Sequence, residues 1–235
     1  MAEKKAERKM TFTKHLDELR KRLVVSLVVV LLTTLFSYFY ALQILDVLAR
    51  PAGDIKLHYL SPLEPMVARL KVAIFSGVGL AFPVLFYEFL AFVSPALRRK
   101  EKKYLYPGLF FALILFASGV TLGFLYIVPL GFNWLFGQAG ERLVPTVTVS
   151  QYISFIGWFL LAFGLAFETP LVIFLLIKLG VVKRETLRKQ WRYVYVIILF
   201  AAAVATPDWS PVSMMAVALP MLILYEVGLL LSRFF

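Results

Sequence analysis

A chain of 235 residues that is 61 % hydrophobic and 17 % charged carries more apolar surface than a soluble fold of its size buries, so lipid is its natural solvent. The formal charge of +11 is gathered into three segments, which makes it a topology signal and excludes a nucleic-acid binder. With no cysteine, and with His15 and His58 far apart and no HExxH, neither disulfides nor a metal site are expected.

In chain order, residues 1–22 come first, with eight Lys/Arg against four Asp/Glu. A long hydrophilic stretch ahead of an apolar run long enough to span does not read as a cleavable signal peptide. From Phe12 the pattern is an amphipathic helix with Leu16, Leu19 and Leu23 on one face, running straight into a first span over about 23–42. Glu18 and Arg22 stand at i,i+4, which predicts a local salt bridge.

The connector 43–64 reads as an ordered cap punctuated by Pro51, Gly53, Pro62 and Pro65. A second span follows over about 66–93, and Arg69 and Lys71 at its outer end predict a water-exposed extension. Segment 94–103 holds five Lys/Arg and one acid, Glu101. The third span covers about 104–131 and the fourth about 152–177. Six Lys/Arg in 178–192 then precede a short fifth span over about 193–206. A turn rich in helix breakers, Thr206-Pro-Asp-Trp-Ser-Pro211, leads to the sixth span, about 212–231. About 20 apolar residues at ~1.5 Å each cross the ~30 Å hydrocarbon layer.

Lys/Arg-rich loops stay cytoplasmic, so all three basic segments face that side and both termini lie there. The expected fold is all-α, one polytopic membrane domain with six transmembrane helices. Its last two spans form a hairpin of short helices that thins the bilayer.

Three acids fall inside spans. Glu168 lies ten residues before Lys178, near the midplane, where an ionisable group marks function by default. Pro170 removes an intrahelical hydrogen bond beside it. Proton coupling, a docking point for a partner helix and plain interhelical packing are all open to Glu168. Glu88 and Glu226 lie nearer the cytoplasmic end, where a polar docking role for a partner stands beside satisfaction by snorkelling or by basic loop residues. Asp208 reads as a turn residue.

Several stretches then match a family in order and spacing. They are His15-Leu-Asp-Glu-Leu-Arg-Lys-Arg-Leu23, Phe82-Pro83, Tyr87-Glu-Phe-Leu-Ala-Phe-Val-Ser-Pro-Ala-Leu97 and Glu101. They continue with Ala162-Phe-Gly-Leu-Ala-Phe-Glu-Thr-Pro170, Leu187-Arg-Lys-Gln-Trp-Arg-Tyr193, Thr206-Pro-Asp208, Pro220-Met221 and Tyr225-Glu-Val-Gly228. The chain resembles TatC, the multispanning core of the twin-arginine protein translocase.

The resemblance implies a receptor in the cell's inner membrane that binds twin-arginine signal peptides of folded cargo. It implies that Glu18 and Glu101 receive the two arginines, with Arg20 orienting or neutralising Glu18 beforehand. Leu16, Leu19, Phe92 and Pro95 would line the adjoining apolar stretch. It further implies a concave, glove-like face holding Glu168, where single-span TatA- and TatB-type partners dock, and it leaves self-association open. Pro51 and Asp208 fall in its outer loops. Some members carry a glutamine early in the last span, where this chain has Met214. No cofactor or enzymatic activity is implied. Without a nucleotide motif, the energy for transport is expected from outside the chain, from the proton gradient.

Two other classes compete. A proton-coupled secondary transporter using Glu168 calls for an inverted repeat, and none is read. An intramembrane hydrolase calls for a catalytic pair at membrane depth, and neither histidine lies in a span.

Overall fold

The computed structural model describes residues 12–53, 57–94, 105–137, 146–178, 180–206 and 211–233. Helix α1, Phe12–Phe39, carries the arm into the first span without a break, because nothing between those residues removes a backbone donor. It stops at Tyr40, and α2, Ala41–Ala49, turns into the cap.

Helix α3, Glu64–Val93, begins with Pro65 in its first turn, where the missing N–H costs nothing. Its 30 residues reach about 45 Å, so it outruns the hydrocarbon layer. The extension is not simply wet, as predicted. The Arg69 guanidinium donates to the Tyr38 carbonyl at 3.2 Å and lies 4.4 Å over the Tyr38 ring. Lys71 Nζ donates to Ser150 Oγ at 2.7 Å. Both cations thus meet protein groups.

The third span is α4, Leu105–Leu122, continued through one π-turn, Gly123–Ile127, into α5, Val128–Gly137. The fourth is α6, Val149–Phe167, followed by α7, Thr169–Lys178. Thr148 caps α6, its hydroxyl accepting from the Gln151 amide at 3.4 Å. A short α8, Arg184–Lys189, leads to α9, Trp191–Ala205, and then α10, Pro211–Leu231.

Among the described residues five helical stretches are long and apolar enough to cross a membrane, and Trp191–Val204 is a shorter apolar one. This corrects the expected hairpin of two short spans. α10 has 21 residues and reaches about 30 Å, so only α9 is short. The expectation of nothing but helix also needs one amendment. Strand β1, Leu57–His58, pairs in parallel with β2, Val147–Thr148, and ties the two outer connectors together.

The helices form an open layer. α1 packs on α3, α3 and α4 pack on α6, and α10 packs on α7 and α9. Of α1's most apolar stretch only 6 % is buried, against 44 % for the fourth span, so α1 is a lipid-facing edge and α6–α7 the centre. A ladder of aromatic rings runs along that centre, from Phe132 through Phe155, Phe159 and Phe163 to Phe167.

At the cap end the predicted order is present. Pro51 stands in a turn, Arg50–Ala52, closed by Gly53 at φ 60. The Tyr152 hydroxyl donates to the Leu48 carbonyl at 2.8 Å. The Glu64 carboxylate accepts from the Leu60 amide at 2.9 Å and the Ser150 amide at 3.2 Å. Sequence reasoning passed over Glu64, which joins both outer connectors.

Candidate functional site

At the arm end, the first turns of α1 lie against the last turns of α3. The His15 ring stacks on Phe92, centroids 4.4 Å apart. Arg22 donates to Glu18 at 2.7 Å and to Glu88 at 2.7 Å. The predicted Glu18–Arg22 pair is present, but it is half of a bridge that pins the arm to α3. Arg22, not Arg20, neutralises Glu18, because i,i+4 places its side chain over the carboxylate. Arg20 is exposed. Leu16 is exposed too, whereas Leu19 and Phe92 are half-buried. Glu88 is buried and meets a cation of the arm rather than of a loop. Glu101 and Pro95 lie outside the described residues.

The second site is the interruption of the fourth span. Pro170 has no N–H to give the Ala166 carbonyl, and the Thr169 hydroxyl serves that acceptor instead at 2.6 Å. The helix pauses there, and Glu168 is the pausing residue. Its side chain is 4 % exposed, and neither carboxyl oxygen has a hydrogen-bond partner among the described residues. The ten residues of α7 place it about 15 Å from Lys178. The surrounding helices approach closely. A Cβ on Gly119 of α4 would lie 2.7 Å from the Phe163 carbonyl.

Glu226 is exposed, and its partner is the Tyr195 hydroxyl at 2.8 Å rather than a basic loop residue, so it links α10 to α9. Tyr225 donates to the Leu187 carbonyl at 3.0 Å, anchoring α8 on the same pair. Asp208 lies outside the described residues. Among the described residues no three acids or histidines gather as metal ligands.

Comparison with known proteins agrees with this architecture over almost its whole length. The family described as Sec-independent protein translocase protein (TatC) matches residues 14–220. The Sec-independent protein translocase protein TatC of Carboxydothermus hydrogenoformans is 32 % identical over 230 residues, covering 97 % of this chain and 95 % of that one. Its counterpart in Aquifex aeolicus is 34 % identical, covering 95 % of each. A crystal structure of a twin arginine translocase receptor, TatC, superposes with a TM-score of 0.83 at 32 % identity, covering 94 % of this chain and 98 % of that one. The chain therefore belongs to the TatC family of Sec-independent protein translocase proteins, membrane-embedded translocase components that are not enzymes.

Proposed function

We propose that this chain is the receptor that reads consecutive arginines in a signal peptide, using Glu18 and Glu101. One observation carries the proposal. Glu18 is a half-buried carboxylate on an arm tied to α3 by the Arg22–Glu88 pair and the His15–Phe92 stack, in a strongly basic part of the chain. A guanidinium makes a two-pronged, charge-assisted pair with a carboxylate, which a lysine ammonium cannot copy. Two adjacent arginines call for two acids, and Glu101 is the only acid in the next basic segment. The residues after the arginine pair would lie along Leu16, Leu19, Phe92 and Pro95.

The basic surroundings repel a cationic peptide at long range. Screening over about 8 Å at physiological salt confines that repulsion, and the short-range pairs then decide. Both termini and all three basic segments face the cytoplasm in this reading, with α9 as the sixth, short crossing in an inner membrane.

The rest of transport falls to partners. Single-span TatA- and TatB-type helices dock on α9, α10 and the glove-like face around Glu168. A buried carboxyl whose oxygens have no partner among the described residues is an acceptor that a donor on such a helix would satisfy.

The test is photocrosslinking in membranes with an Arg-Arg signal peptide and its Lys-Lys counterpart. The receptor reading expects strong crosslinking to the first and little to the second. Equal crosslinking to both would remove it.

A further inference from the structure

One guanidinium already occupies Glu18, and it belongs to the chain itself. Arg22 donates from Nε and Nη2 to Glu18 Oε1, at 2.9 and 2.7 Å, and from Nη1 to Glu88 Oε2 at 2.7 Å. Both contacts to Glu18 fall on the same oxygen. Glu18 Oε2 and Glu88 Oε1 make no hydrogen bond among the described residues. The fork is therefore split between two carboxylates. The three side chains differ in access: Arg22 is 30 % exposed, Glu18 25 % and Glu88 10 %. The more accessible acid faces whatever arrives, and the deeper one stands behind Arg22.

We infer that Arg22 is an intramolecular stand-in for a peptide arginine, holding Glu18 in the resting receptor and withdrawing fully onto Glu88 when an incoming guanidinium takes Glu18. The inference rests on the reading of Glu18 as a peptide-arginine acceptor. Its chemistry is an exchange of partners. Arg22 gives up Glu18 Oε1 and completes a two-pronged pair on Glu88 by taking its second oxygen, and the incoming cation takes the Glu18 carboxylate so freed. Glu88 makes the exchange feasible, because a displaced guanidinium left without a counter-ion at a part-buried site is strongly disfavoured. The His15–Phe92 stack holds the arm in place meanwhile, so the exchange needs only side-chain rotation.

The stand-in weakens every ligand of Glu18 by the same factor, since only the fraction of receptor with Glu18 free is competent. It therefore leaves the preference for arginine over lysine unchanged. What it changes is the threshold, keeping weak, single-pronged pairings below useful occupancy.

Equilibrium binding of labelled Arg-Arg and Lys-Lys signal peptides to the full chain in nanodiscs tests this. Arg22→Gln is expected to tighten both peptides about tenfold, the scale of one charge-assisted pair, with their ratio unchanged. Glu88→Gln removes the refuge and is expected to weaken both about fivefold. The Arg22→Gln/Glu88→Gln double variant is expected to match Arg22→Gln alone, since a refuge matters only to the residue that uses it. It also carries the test if Arg22→Gln fails to accumulate with Glu88 unpaired. Lys21→Gln removes one neighbouring exposed charge and is expected to change binding by less than about twofold.

Weaker or unchanged Arg-Arg binding in Arg22→Gln, or in the double variant where that must stand in, overturns the inference and leaves Arg22 as a structural pin. So does equal tightening in Lys21→Gln, which reduces the effect to net charge. Glu18→Gln separates the two levels. If it binds like the unaltered chain, the receptor reading itself falls. If it loses binding while freeing Glu18 from Arg22 gains nothing, only the stand-in falls.

Discussion

Glu168 occupies its site at a cost to folding. A buried polar group left without a hydrogen bond costs on the order of 1–3 kcal/mol, and neither oxygen of this carboxyl has a partner among the described residues. Replacing it with an apolar side chain of similar size removes the unmet demand. Glu168→Leu is therefore expected to raise the melting temperature in detergent by a few degrees, leave signal-peptide binding intact and impair assembly or transport. A lower melting temperature would mean that the carboxyl is satisfied and structural. Lost peptide binding would place it in the receptor site. The place of Glu168 within the fourth span was legible in the sequence by counting back from Lys178. The role of Arg22 was only half legible. Spacing within one helix gives Glu18, but Glu88 lies 66 positions away and meets Arg22 only because α1 folds against α3.

At the scale of elements, the crossing of α1 and α3 depends on one missing side chain. A Cβ on Gly77 would lie 2.6 Å from the Thr34 Cα, and the Thr33 hydroxyl donates to the Gly77 carbonyl at 2.8 Å. Gly79, two residues on, has open space around its Cβ position. Gly77→Ala is expected to destabilise the protein by about 1–3 kcal/mol through forced separation of the helices, and Gly79→Ala to be nearly silent. Thermal unfolding of the two variants side by side checks this, and equal effects would refute it.

The long helices were legible because apolar length alone predicts them. Two features were not. Pro211 reads as part of a breaker-rich turn, yet it serves as the first residue of α10, where its fixed φ and missing N–H fit. The β1–β2 pairing spans two residues on each side and leaves no alternating pattern to read.

For the whole molecule, the distribution of charge and the order of packing fit one another. The fourth span is central, α1 is an edge open to lipid, and the basic segments alternate with cap-forming connectors. With no native cysteine, single cysteines report orientation without background. A thiol replacing Lys183 or Ser232 is expected to react only from the cytoplasmic side, and one replacing Gly53 or Thr146 only from the opposite side. A cytoplasmic signal at Gly53 would invert the topology and take Glu18 away from incoming peptides.

The central claim is that Glu18 and Glu101 receive the paired arginines, and crosslinking of an Arg-Arg signal peptide to membrane-embedded variants tests it most directly. Glu18→Ala and Glu101→Ala are each expected to lower the yield about tenfold or more, with the protein present in the membrane at its normal level. Undiminished crosslinking in both variants would contradict the account.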